Sequence, residues 1–299
     1  LKRNVFAAGD MAVSVFFRGT DIQQDSTGRG QIFLYTLIDI GLLEEIEEPH
    51  RHPSLQHPKN CILGSCTYSL IDDLSVFHDD QGRNAHHTKP ARQLRLLVHI
   101  HLADLDIVAL PGDLADEKFA RKLVHGAHDA LGGLDIIVNN AGKQIFNDDI
   151  TTLPTKQLVE TFTVNLFAMV WIVQEAVKHY LKPGATVINT TSIVATQPSP
   201  GLIDYAATKG AITTLTKGLS QQLAPKGITV NGVAPGPIWT PLQPSYGQSP
   251  EKLTKFGEAT PLGRPGQPAE LAGAYVYLAS ADASYVSGEI IGVTGGRLR

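Results

Sequence analysis

From Asp106 to the end of the chain, short apolar runs alternate with stretches of helical period, and few architectures satisfy that pattern. Asp106 to Leu110 reads as a strand closed by Pro111-Gly112-Asp113. Asp116 to Leu131 carries Phe119, Leu123, Ala127 and Ala130 along one side and stops at Gly132-Gly133. Leu134 to Val138 is continuously apolar, as a strand covered on both faces must be. A long helix is expected over Thr155 to Tyr180, with Pro183-Gly184 just beyond it. Then come a strand (Ala185 to Asn189), a helix (Tyr205 to Leu223), a strand (Ile228 to Val233), a helix (Pro268 to Ala279) and a last strand (Glu289 to Val293). Regular alternation of this kind argues an α/β fold, with a parallel sheet and helices on both faces.

The first 105 residues read differently. They hold eight of the eleven histidines, both cysteines and the acidic clusters Glu44, Glu45, Glu47, Glu48, Asp72-Asp73 and Asp79-Asp80. Val13 to Phe17 and Ile32 to Leu43 fit strand or helix equally well. The domain organisation expected is therefore an atypical, poorly packed segment over 1–105 and a regular domain over 106–299. Composition adds limits. A chain of 299 residues, 42% hydrophobic and 18% charged, buries a sizeable core. Its formal charge of −4 argues against nucleic acid as a partner. No apolar run reaches the ~20 residues of a bilayer span, so no membrane association is expected. Lys2 and Arg3 are followed by no secretory apolar region or cleavage site, and the opening Leu1 fits a fragment or an unusual start. Two cysteines, Cys61 and Cys66, fit a reducing cytoplasm.

The chemistry concentrates in Tyr205-Ala206-Ala207-Thr208-Lys209. Positions i and i+4 share a helix face, so the phenol and the ammonium enter one space. A free Tyr titrates near 10, too high for an acid or base at neutrality, and a neighbouring cation is expected to lower it. An isolated pair of this spacing is common enough by chance to be an exposed Lys beside a half-buried Tyr. Ser192 stands thirteen residues earlier, just past a strand, where sites form at the carboxyl edge of parallel sheets. Its ordinary alternative is a loop serine closing a turn. Asn139-Asn140-Ala141-Gly142 follows another strand at the same edge, as a plain turn or as a flat platform for a ligand. Asn165 lies inside the long helix, either facing solvent or bridging the backbone to water.

Together, Asp113-Leu114, Asn139 to Gly142, Asn165, Ser192, Tyr205, Lys209, Pro235-Gly236 and Thr240 occur in an order and spacing that resembles the short-chain dehydrogenase/reductase family. Within it, Pro111 to Leu134, Gln197 to Ile212, Ala234 to Thr240 and Thr260 to Ser280 look like a bacterial subgroup, the YghA-like oxidoreductases. The resemblance covers 106–299. It implies a Rossmann-like, doubly wound parallel sheet in three α/β/α layers and hydride transfer between NAD or NADP and an alcohol or carbonyl carbon. Tyr205 would be the general acid/base, Lys209 would lower its pKa and hold the nicotinamide ribose, Ser192 would orient the substrate oxygen, and Asn165 would organise a proton-relay water. Asp113 and Leu114 would border the adenine; Asn140, Ala141 and Gly142 would line the cofactor's middle; Pro235, Gly236, Ile238 and Thr240 would face its nicotinamide end. Leu242 to Ala259 would be a lid. A homotetramer and a small-molecule substrate are implied as well.

The resemblance stops where the family's first βαβ unit should be. No TGxxxGxG turn is recognisable; Ser26-Thr27-Gly28-Arg29-Gly30 has the wrong glycine spacing and no strand before it. The strand end that selects NAD or NADP is missing too. One account is a shift of reading frame upstream of residue 105. Another is a catalytically impaired relative that lacks the pyrophosphate loop. Read literally, Cys61 and Cys66 with His57, His86 and His87 make a poor zinc set, since C-x4-C has no tight second pair, and His99-x-His101 reads as solvated. No metal is expected.

Overall fold

The computed structural model describes residues 4–9, 12–17, 107–240, 242–244 and 250–297. Their strands are β1 (Asn4–Gly9), β2 (Ala12–Phe17), β3 (Ile107–Ala109), β4 (Ile136–Asn139), β5 (Thr186–Thr190), β6 (Thr229–Pro235) and β7 (Ile290–Val293). They form one sheet in the order β3-β1-β2-β4-β5-β6-β7. The helices are α1 (Glu117–Leu131), α2 (Thr155–His179), α3 (Ile203–Leu223), α4 (Pro250–Leu253) and α5 (Ala272–Ala279).

Alternation along β5 settles the layers. Asn189 and Val187 point to one face: Val187 joins a core with Leu123, Val124 and Ala127 of α1 and Ile172, Val173 and Ala176 of α2, and Asn189 bonds Thr216 of α3. Thr190 points to the other face, where its hydroxyl meets that of Tyr275 on α5. Helices therefore cover both faces of the sheet.

Each helix has a local cause. The Asp116 side chain accepts from the Lys118 amide to start α1, and Gly132, at φ 70°, ends it in the left-handed region. α2 is continuous, with Thr163–Phe167 wound as a π-helix. That extra residue per turn turns Asn165 fully inward. By length and composition α2 is long and apolar enough to cross a membrane, although it contains no uninterrupted apolar run of that length. A helix that packs one side on a sheet meets the same criterion.

Two expectations need correction. The sheet is not wholly parallel: β2 runs antiparallel to both β1 and β4, while β3–β1, β4–β5, β5–β6 and β6–β7 are parallel. Only residues 10 and 11 separate β1 from β2, and a two-residue link forces a hairpin. Second, residues 4–9 and 12–17 of the segment read as irregular are paired in the sheet. They fill the two positions between β3 and β4 that would otherwise be bare edges, and the ambiguous Val13 to Phe17 lies in β2. Ile32 to Leu43, Ser26 to Gly30, His57, Cys61, Cys66, His86, His87, His99 and His101 lie outside the described residues.

Candidate active site

The carboxyl ends of β4, β5 and β6 open onto a cavity of about 590 Å³. Asn140, Gly142, Ser192, Tyr205, Lys209, Pro235, Gly236, Ile238 and Thr240 all line it, so most of the residues singled out in sequence converge there. Asp113, Leu114 and Ala141 do not. Asp113 closes a turn by accepting from the Ala115 amide, and Leu114 and Ala141 are core residues at 2% and 8% exposure.

Tyr205 and Lys209 share one face of α3 as their spacing requires. The Lys209 Nζ lies 5.3 Å from the Tyr205 ring centroid. Lys209 is held at both ends by the tip of β5: its ammonium donates to the Thr190 carbonyl at 2.8 Å, and its own carbonyl accepts from the Thr191 hydroxyl at 2.9 Å. The Ser192 hydroxyl accepts from the Val194 amide at 3.4 Å, which bears out its turn-closing reading, and the same hydroxyl acts on the Tyr205 phenol across the cavity wall.

The electrostatics correct a further expectation. Burial pushes the Tyr205 phenol up to about 12, and the Ser192 bond only partly opposes this. Burial brings the Lys209 ammonium down to about 8. Only Ser192 opposes the desolvation of the phenol; the Lys209 amine lies over the ring face and donates to the Thr190 carbonyl.

Asn165 is fully buried, which excludes its solvent-facing reading. Its Oδ1 accepts from the Lys143 amide at 2.6 Å, and its Nδ2 donates to the Lys143 carbonyl and the Thr208 hydroxyl. Both amide protons are thus spent on protein groups, and the side chain fixes the loop after β4 against α3. Three contributors escaped sequence reasoning. Asp204, 3% exposed, accepts from Gln157, Thr161 and the Tyr205 amide, tying the first turn of α3 to α2. Thr190 anchors Lys209 through its carbonyl. Asn189 links Asn139 to Thr216 beneath the cavity floor. Only an acid at the start of a helix hinted at Asp204.

Two glycines shape the cavity edge, Gly142 by leaving space before Lys209 and Gly236 by close packing on the backbone after β7. A Cβ at Gly142 would stand 3.6 Å from Lys209 Nζ and 3.9 Å from Asn165 Oδ1, in the space before the lysine. A Cβ at Gly236 would meet Thr294 Cα at 2.7 Å. Of the expected lid, 242–244 and 250–259 are described, and Leu242, Gln243, Lys252, Lys255 and Phe256 line the cavity. Among the described residues no His, Cys, Asp and Glu cluster could hold a metal.

A family model described as enoyl-(acyl carrier protein) reductase matches residues 83–297, beginning upstream of the composition break. The uncharacterized oxidoreductase YghA of Escherichia coli strain K12 is 59% identical over 189 residues, 63% of this chain and 64% of that protein. The chain thus spans a little under two thirds of that relative's length. Glucose and ribitol dehydrogenase of Daucus carota is 43% identical over 215 residues, covering 71% of this chain and 73% of that protein. Among solved structures, a short chain dehydrogenase from Burkholderia cenocepacia J2315 in complex with NADP superposes with a TM-score of 0.62 at 28% identity, over 71% of this chain and 84% of that one. With the family model matched over more than half of its length, the chain belongs to the short-chain dehydrogenase/reductase family.

Proposed function

We propose that this chain is an NAD(P)-dependent oxidoreductase that interconverts an alcohol and a carbonyl, with Tyr205 exchanging the proton. The observation that carries this reading is the convergence of Ser192, Tyr205 and Lys209 on one cavity at the carboxyl edge of the sheet. The residues suit a nicotinamide: the Gly142 backbone leaves space before Lys209 for a flat ring, and Pro235, Gly236, Ile238 and Thr240 border the same cavity. The bound cofactor supplies or accepts the hydride. Ser192 and Tyr205 hold the substrate oxygen between two hydroxyls. In reduction the phenol gives that oxygen its proton; in oxidation the phenolate takes it back. Lys209, anchored on Thr190 over the face of the Tyr205 ring, keeps a positive charge in the space that the phenolate shares. Asn165 and Asp204 are positioning residues. A reducing cytoplasm and a homotetramer complete the proposal; the exposed Leu158, Val159 and Phe167 of α2 offer an apolar surface for assembly.

One observation favours a second reading, an impaired relative. β1 and β2 pair antiparallel with only two residues between them in sequence, which leaves no room there for a phosphate loop and a helix N-terminus. Titration with NADH and NADPH under fluorescence separates the two. Saturable binding, together with aldehyde reduction that falls by about 10²-fold or more in Tyr205→Phe, is expected. Binding of neither cofactor at millimolar concentration would establish the impaired reading, and unchanged turnover in Tyr205→Phe would exclude the mechanism.

A further inference from the structure

The charge lining the cavity is one-sided. Lys209, Lys252, Lys255 and Arg297 border it, and among the described residues no Asp or Glu does, in a chain whose net charge is −4. Lys209 is already committed to Thr190 and to the face of Tyr205. Elsewhere among the described residues several cations pair with acids, as Lys143 does with Glu160, Arg121 with Glu117 and Glu175, and Arg264 with Glu270. Lys252, Lys255 and Arg297 form no ion pair among the described residues. A concave wall of one sign raises the local concentration of oppositely charged ligands beyond what the same charges do on a flat surface.

Position decides which ligand these lysines meet. Lys252 Nζ lies 5.2 Å from the centroid of the Phe146 ring. Phe146 in turn packs on Gly201, where an added Cβ would come within 2.2 Å of the ring. Gly201 precedes Tyr205 by four residues, so Lys252 stands by the wall that leads into α3. The wall assigned to the nicotinamide, Pro235 to Thr240, rises from a different strand end. Lys255 follows Lys252 by three residues and borders the same cavity beside Phe256. Resting on the oxidoreductase reading, we infer that the substrate is an anionic alcohol or carbonyl compound, bearing a carboxylate or a phosphate ester that Lys252 and Lys255 receive while its reacting carbon lies at Ser192 and Tyr205.

The test compares three aldehydes on the full chain with cofactor: glyceraldehyde, glyceraldehyde 3-phosphate and succinic semialdehyde. The wild type should show kcat/KM about tenfold or more higher for an anionic aldehyde than for the neutral one, and the preferred anion identifies phosphate or carboxylate as the group read. In Lys252→Gln/Lys255→Gln that ratio should collapse by about tenfold, with no parallel rise in the cofactor KM. An equal preference for the neutral aldehyde, or a ratio that survives while the cofactor KM rises, would overturn the inference. If no aldehyde turns over, the oxidoreductase reading fails, and anion binding is read without turnover. Trp239 lies 5.8 Å from Phe256 and is one of two tryptophans. In a Trp171→Phe background, inorganic phosphate and succinate should each be titrated against its emission. A saturable change lost in the double lysine variant supports the anion site; no change with either overturns it.

Discussion

At the scale of single residues, the two titrating groups of the site carry opposite shifts, and each gives a measurable sign. With the Tyr205 phenol raised to about 12, the protonated form dominates at neutral pH. Carbonyl reduction, which uses the phenol, should therefore run flat in log kcat across neutral pH. Alcohol oxidation, which needs the phenolate, should climb with pH; an oxidation rate independent of pH from 6 to 10 would contradict the assignment. Lys209 offers a stability test. Its pKa falls from an unfolded value of 10.5 to about 8. The unfolded chain binds more protons between those values, so stability should rise as pH goes from about 8 to 10.5, and below 8 the full cost of the buried ammonium stands. That cost is roughly 3 kcal/mol, offset in part by the hydrogen bond to Thr190. Lys209→Met should thus be more stable than the wild type by roughly 2 kcal/mol at pH 7 and lose that advantage by pH 10, while activity disappears. Denaturant midpoints at the two pH values decide it: an advantage of equal size at both would show that charge burial is not the cause.

At the scale of elements, α2 and α3 form one device, and the sequence showed its two ends but not its joint. Tyr205 and Lys209 were legible because i, i+4 geometry is fixed by any helix. Ser192 and Gly142 were legible because strand ends in parallel sheets converge. Asp204 was not, since its work depends on Gln157 and Thr161 reaching it from another helix, and contacts between distant segments leave no local spacing to read. Asn165 was seen but its role was not: the π-helical turn that rotates it inward has no signature in local propensity. Asp204→Ala should leave the Gln157 amide, the Thr161 hydroxyl and the Tyr205 amide without their acceptor, costing about 2–4 kcal/mol of stability. Because those bonds seat the first turn of α3, kcat should fall more than KM rises. Asp204→Asn keeps one acceptor oxygen and should recover part of both losses. A variant as stable and as fast as the wild type would show that α3 is seated by packing alone.

At the scale of the whole molecule, the sheet is continuous only because β1 and β2 stand between β3 and β4. Periodicity from Asp106 onward predicted the rest of the sheet nearly strand for strand, since β4 and β5 are buried along their whole length and β6 along most of its own. The hairpin was missed because Val13 to Phe17 is too short to separate strand from helix by period, and pairing is decided by partners far along the chain. The pairing has a consequence for solubility. β2 covers one edge of β4 along Ile136 to Asn139, and β1 covers β3. Removing residues 1–17 would bare unpaired amides and carbonyls on both strands, on either side of a gap two strands wide. Bare, apolar edges recruit strands from other chains. The truncated protein is therefore expected to aggregate at concentrations where the full chain stays dispersed, and to lose the Trp239 emission response to phosphate as the sheet edge beneath the cavity distorts. Light scattering and fluorescence on the two forms measure both effects. A truncated chain that remains dispersed, melts at the same temperature and keeps its response would mean that β3 and β4 do not depend on the hairpin, and that the segment before residue 18 contributes nothing to holding the catalytic edge of the sheet in place.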